Sequence, residues 1–309
     1  MGLPALPLEE WEPTKDTLHL WLQIVGKIRL ASTPLANHWW NVPLYVTARG
    51  LTTRQMRQED ASFEIDFDFI DHELGIRTDQ GELARLQLVD GLSVSGFYRE
   101  LFSRLARLGI EPEIRARPFG LPDATPFADD AEHASYDAEA VERFWRVLQF
   151  TDSSFSDFAG WFCGKQSPVH LFWHGFDLAV TRFSGLPAPV SESADPVSRE
   201  AYSHEVISFG FWAGDNIVRR PTFYSYTAPE PDGLTDEPLR PAGARWDAPY
   251  GSSSFALLDY DDLRAAPDPR EALLAFLQSA YEAGARRAGW DTAKLASFAA
   301  PEAASMPRG

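Results

Sequence analysis

Residues 18–30 read Leu18-His19-Leu20-Trp21-Leu22-Gln23-Ile24-Val25-Gly26-Lys27-Ile28-Arg29-Leu30. Leu18, Leu20, Leu22, Ile24, Ile28 and Leu30 take the even positions; His19, Trp21, Gln23, Lys27 and Arg29 take odd ones. A period of two predicts a β-strand with the first set on the core and the second on the opposite face. Trp21 between His19 and Gln23 is out of place on a solvated face, so a curved sheet would make that face a lined concavity.

Further along, the pattern predicts more strands. Pro43 opens one over 43–47. Phe63, Ile65, Phe67 and Phe69 alternate with Glu64, Asp66 and Asp68 over 63–69. Asp79-Gln80-Gly81 is a turn between strands at 75–78 and 83–88, a hairpin signal. Phe97, Leu101, Leu105 and Leu108 then fall at helical spacing over 93–108, with Gly109 at the C-terminal cap position. Residues 110–136 form a Pro-rich, acidic linker with a short strand at 113–117. Asp137 caps a helix to about 150, followed by a second, turn-rich helix to 161. The second half offers a strand or hairpin at 169–183, a Pro/Ser loop at 185–196, and strands at 205–212, 222–227 and 255–260. Asp268 and Pro269 begin a helix over 271–284.

The fold class is therefore α+β: antiparallel sheets with packed helices, in segments 1–110, 111–165 and 166–309. His19-Leu20-Trp21 echoes His170-Leu171-Phe172-Trp173. That echo raises a duplicated strand-rich unit, each copy ending in a helix.

Composition narrows the function classes. The 309 residues are 44% hydrophobic and 24% charged, ordinary for a globular chain. Ten Trp residues point to a heavy core or an aromatic-lined cavity. A formal charge of -17 opposes phosphate backbones and anionic lipid, so neither nucleic acid nor a membrane surface is an expected partner. One cysteine, Cys163, allows no intramolecular disulfide, which fits a reducing compartment. With no signal peptide at 1–11 and no membrane-length apolar run, a cytoplasmic location is expected. Cys163 in Trp161-Phe162-Cys163-Gly164 reads as a buried small apolar residue.

His170 and His174 would chelate one metal on a helix. On a strand they stand ~13 Å apart at ~3.3 Å per residue, too far for one ion. Asp177 in the same apolar stretch needs a partner, either Arg182, Lys165 or a His. The Glu64, Asp66 and Asp68 row either holds a cation or forms cross-strand ion pairs with Lys27, Arg29 or Arg85. His38-Trp39-Trp40 and Tyr202-Ser203-His204-Glu205 are short polar or aromatic runs ahead of strands. Ser203 and His204 would point to opposite faces as neighbours on a strand, so they are no catalytic pair.

The runs at 18–21, Asn37-His38-Trp39-Trp40, Val42-Pro43-Leu44-Tyr45-Val46-Thr47, Glu132-His133-Ala134-Ser135-Tyr136-Asp137, 176–185 and Tyr202-Ser203-His204-Glu205 resemble a bacterial domain-of-unknown-function family, numbered 5996. The likeness runs from Trp11 to Trp290, and the family brings no assigned activity. Members often carry His where this chain has Asn41, and Gly-Ser where it has His174-Gly175. A site that includes those positions would differ between this chain and its relatives.

The leading functional expectation is an enzyme acting on a small organic molecule in a His/Trp-lined pocket. His170 and His204 would serve as acid/base groups or as ligands to a divalent transition metal, oriented by Asp177 or Glu205. His19, Trp21, Gln23, His38, Trp39, Trp40, Trp173 and His174 would line the ligand site. Two alternatives stay open: a non-catalytic small-molecule binding protein, and a partner-binding protein using exposed Trp39 and Trp40.

Overall fold

A computed structural model describes residues 2–189, 194–251, 253–298 and 300. The Pro/Ser loop expected at 185–196 lies partly outside the described residues. The chain divides into two compact units. One comprises Pro4–Gln149 and Leu171–Asp177, and the other Met1–Leu3, Phe150–His170 and Leu178–Gly309.

The first unit opens with the largest departure from the sequence pattern. Residues 18–30 are not a strand: they lie in a single helix, α1 (Leu8–Ala31). Glu9 and Glu10 sit in its first turn, where carboxylates complement the helix dipole. Pro34 follows shortly after its end. Every residue from Thr17 to Arg29 is buried. A helix buried all round has no polar face, so its sequence carries no clear 3.6-residue stripe and an accidental alternation stands out. Length is the better arbiter: no Gly-Pro or turn signal interrupts residues 14–31, more than twice an ordinary strand.

The unit's sheet is built from β1 (Tyr45–Val46), β2 (Gly50–Thr52), β3 (Met56–Gln58), β4 (Ala61–Asp68), β5 (Glu73–Thr78) and β6 (Leu83–Gln87). Its order is β1-β2-β4-β5-β6, with β3 also paired to β4, all antiparallel. The β5–β6 hairpin and the β4 alternation are as the sequence predicts. Phe63, Ile65 and Phe67 are buried. The carboxylate row is taken up by ion pairs: Asp66 with Arg77 and Asp68 with Arg49. The cross-strand reading holds, but the partners are Arg77 and Arg49 rather than Lys27, Arg29 or Arg85.

α2 (Val94–Arg107) starts at Ser93, whose side chain accepts from the Gly96 N–H. Phe97 of α2 stacks on Phe67 of β4 at 6.3 Å and on Trp21 of α1 at 4.9 Å. Tyr136 closes the same aromatic column at 5.5 Å from Trp21. Residues 113–117 form no strand. They form an irregular connection, with the Arg117 N–H on the Arg115 carbonyl, leading to Phe119, whose backbone is held by a side chain of α1. α3 (Ala138–Gly160) is one continuous helix where the sequence predicts two in succession. Its residues to Gln149 belong to the first unit and the rest to the second.

The second six-stranded sheet runs β11-β12-β10-β9-β8-β7. Its strands are β7 (His170–Phe172), β8 (Asp177–Pro187), β9 (His204–Trp212), β10 (Thr222–Ala228), β11 (Arg245–Asp247) and β12 (Phe255–Asp259). α4 (Pro196–Ala201), α5 (Tyr260–Arg264), α6 (Pro269–Arg287) and α7 (Thr292–Leu295) complete the chain. Phe211 of β9 and Phe223 of β10 pack at 5.0 Å, and Phe158 of α3 meets Phe209 of β9 edge-on at 4.8 Å. Glu237 receives both Arg286 and Arg287 near the end of α6.

The fold class is α+β with two antiparallel sheets. The duplication fails at the residues that suggested it: His19-Leu20-Trp21 is helical, whereas His170-Leu171-Phe172 is a strand. Cys163 is exposed, not buried, and its thiol donates to the Lys294 carbonyl. No helix among the described residues is long and apolar enough to cross a membrane.

Candidate functional site

α1 positions the site. On a helix, residues 19, 23 and 27 are four apart and share one face, while Trp21 is turned well away from them. Trp21 accordingly serves the core column and lines no concavity with His19 and Gln23. His19, Gln23 and Lys27 instead face residues 119 and 171–177.

Residues 173–176 are a tight turn between β7 and β8. His19 Nε2 lies 2.9 Å from the Trp173 carbonyl oxygen and 3.2 Å from that of His174. Carbonyls only accept, so Nε2 carries the proton and His19 is a donor there. Gln23 Oε1 accepts from the Phe119 N–H at 2.7 Å, and its amide donates to the Phe119 carbonyl at 3.0 Å. That pair fixes the amide orientation. The 3.3 Å approach of Gln23 Nε2 to His19 Nε2 then joins two donors and is no hydrogen bond. His19 and Gln23 are thus committed to backbone, which fits a structural role.

Trp173 is the centre of the arrangement. Its indole N–H donates to the Val42 carbonyl at 3.0 Å. Its ring lies against Gly26, where a Cβ would come within 2.2 Å of Cδ1. Lys27 Nζ stands 5.6 Å from the same ring. The His174 imidazole meets Phe172, Trp173 and Phe119 edge-on at 5.3, 5.8 and 6.1 Å. Phe176, in a left-handed conformation at φ 56°, packs on His19 at 5.1 Å.

Burial and charge act in the same direction here. Burial, with the nearby Lys15 charge, pushes His19 from 6.5 down to about 4. Burial alone pushes His174 down to about 4. Both are neutral at pH 7. Burial and then the neighbouring Arg115 hold Lys27 below its ordinary value. Lys27 is 8% exposed, and among the described residues no carboxylate pairs with it. Arg115 is exposed and likewise makes no ion pair among them. The result is a donor-rich patch of Lys27, Arg115 and His174 beside the aromatic rings of Trp173 and Phe119.

The other predicted site residues are distributed elsewhere. His38 and Trp39 occupy a tight turn with φ of 55° and 60°, and His38 packs against Trp40 at 5.4 Å. Two consecutive non-glycine residues in that region cost about 1–2 kcal/mol each. His38 is buried and both Trp side chains are half-buried, not exposed. Asp177 is half-buried at the start of β8. His170, His204 and Glu205 belong to the second unit, so the histidines do not gather in one unit. His170 is 1% exposed. Ser203 and His204 contradict the opposite-face expectation: Ser203 Oγ lies 3.1 Å from His204 Nδ1. Ser203 precedes β9 and is not bound by strand alternation. Its hydroxyl donates to the Glu200 carbonyl at 3.1 Å, so it accepts from His204 and is not activated. Among the described residues no group of three or more His, Cys, Asp and Glu is placed to hold a metal ion.

Lys27, Arg115 and Phe119 are the members that the strand reading missed as site residues. The i, i+4, i+8 spacing of His19, Gln23 and Lys27 was the available signal for Lys27. Nothing local marks Arg115 or Phe119.

The family model described as a family of unknown function (DUF5996) matches residues 3–297 of the 309. The chain belongs to this family. No curated protein matches the chain, and no solved structure matches it. DUF5996 membership carries no activity, so function must be argued from the site.

Proposed function

We propose that this DUF5996 protein is a binding protein for a small organic anion, a carboxylate or phosphate on a planar apolar body. The ligand's charge is met by Lys27, Arg115 and the His174 imidazole, and its body lies on the exposed Phe119 ring. The observation that carries this reading is Lys27, which is nine-tenths buried with no carboxylate partner among the described residues. The Lys27 ammonium itself is not among the fully buried polar atoms, so an anion can reach it and offset the cost of holding the charge among buried side chains. Aromatic faces beside a few convergent polar groups are the usual composition of a small-molecule site. His19, bonded to the Trp173 and His174 carbonyls, holds the turn that carries them, and Gln23 holds the Phe119 backbone.

The test is thermal unfolding with benzoate and phenyl phosphate as probes, on the wild type and Lys27→Met. One of the probes is expected to raise the wild-type Tm in saturable fashion. Removing a charged hydrogen-bond partner is worth about 1.5–3 kcal/mol, so Lys27→Met weakens binding by at least about tenfold. Equal Tm shifts in both proteins, or none in either at millimolar probe, refute the site.

One observation favours an enzymatic version. His174 is neutral at pH 7 and, among the described residues, its ring has no hydrogen-bond partner. That leaves a ring nitrogen able to accept a proton, although a pKa of about 4 makes it a weak base. Turnover of a bound anion that His174→Gln abolishes without loss of affinity would select it.

A further inference from the structure

The second unit carries a buried charge of its own. Arg182 of β8 is 1% exposed. Its guanidinium carbon lies 3.5 Å from the Phe158 ring centroid, 4.5 Å from Tyr281, 5.0 Å from Phe162 and 6.0 Å from Phe209. One terminal nitrogen donates to the Phe158 carbonyl. Among the described residues no carboxylate pairs with it. Burial pushes its pKa down to about 9, still well above neutrality, so the charge persists.

Among the described residues three buried donors in this cluster have no protein partner: Arg182 Nε, the Tyr281 hydroxyl and the Trp290 indole N–H. Tyr281 joins them, since its ring also packs on Trp290 at 6.3 Å. Tyr281 and Trp290 are themselves 6% and 8% exposed. Aromatic faces return about 0.5–2 kcal/mol each to a cation. The effective penalty for burying an ion is several kcal/mol, and each orphaned donor adds about 1–3. A water molecule would satisfy donors but leave the charge. A small anion answers both.

We infer that the Arg182, Tyr281 and Trp290 cluster is a binding site for one small monovalent anion of the chloride class. The guanidinium supplies the counter-charge, and the phenol and indole supply neutral donors. This site is independent of the one proposed on α1: it lies in the other unit and uses none of the same residues.

The experiment is thermal unfolding of the full chain in sodium chloride against sodium gluconate at equal ionic strength. Wild-type Tm is expected to rise with chloride and to saturate, as mass action requires for a ligand of the native state. Arg182→Met risks loss of folding, so the diagnostic variants are Tyr281→Phe and Trp290→Phe, which remove one donor each and keep the ring packing. Each is expected to raise the apparent chloride Kd by about tenfold or more. Bromide-soaked crystals should show one anomalous peak beside Arg182 Nε. A wild-type Tm indifferent to chloride, an unchanged chloride response in both variants, or a bromide peak only elsewhere overturns the inference.

Discussion

Gly26→Ala tests whether Trp173 organises the site. In a solvated helix this change would stabilise by about 1 kcal/mol through helix propensity. Here the new methyl would come within 2.2–2.4 Å of Trp173 Cδ1, Cγ and Nε1. The ring cannot simply swing aside, because Trp173 is 5% exposed and its N–H is anchored on the Val42 carbonyl. Overpacking a buried contact costs about 1–3 kcal/mol. Breaking the indole bond and leaving the Val42 carbonyl unpaired costs about another 1–3 kcal/mol. The overlap therefore wins over propensity, and the net loss is about 1–5 kcal/mol. For a unit of this size that lowers Tm by about 2–20 °C. Urea denaturation followed by near-ultraviolet circular dichroism reads both stability and the Trp173 environment. A double-mutant cycle with Trp173→Phe should recover part of the loss, since the smaller ring vacates the overlap. A Gly26→Ala protein as stable as wild type would refute the close approach, and with it the placement of Trp173 and His174.

Histidine burial sets a pH dependence. Unfolded His19 protonates near 6.5, while the native residue stays neutral down to about 4. Between those values the unfolded state binds more protons, so stability falls as pH is lowered from 6.5 towards 4, by at most about 3 kcal/mol. His174, lowered equally by burial, adds the same dependence, so His19→Gln should remove about half of the slope; an unchanged slope would remove His19 as a source. Lys27→Met is expected to raise stability by about 1 kcal/mol, because it removes an unpaired buried charge and keeps the stem packing. A loss of more than 1 kcal/mol in urea titration would mean that Lys27 is compensated within the protein. Cys163, exposed, should react stoichiometrically with a thiol reagent in the native state. Reaction only after denaturant would contradict its placement.

Much of the architecture is legible in the residues alone. The β4 alternation, the β5–β6 hairpin around Asp79-Gln80-Gly81, the Ser93 cap of α2 and the Asp268-Pro269 start of α6 follow local rules of period, turn chemistry and capping. The family resemblance spans nearly the whole chain for the same reason: its motifs are local strings. Residues 18–30 were not legible in this way. Leu18, Leu22, Trp21, Val25 and Ile28 are buried on every side of α1, so no polar face reported the helical period. Once the helix replaces the strand, Trp21 joins the Phe97 column while His19, Gln23 and Lys27 line up towards Phe119 and the 171–177 turn. The sequence alone singled out His19, Gln23, Trp173 and His174 of the candidate site, and not Lys27, Arg115 or Phe119. Only tertiary structure decided which of them are spent on backbone and which lack a partner. Pairing between residues 19 and 173, or 23 and 119, depends on how distant segments fold together, and no local periodicity encodes that.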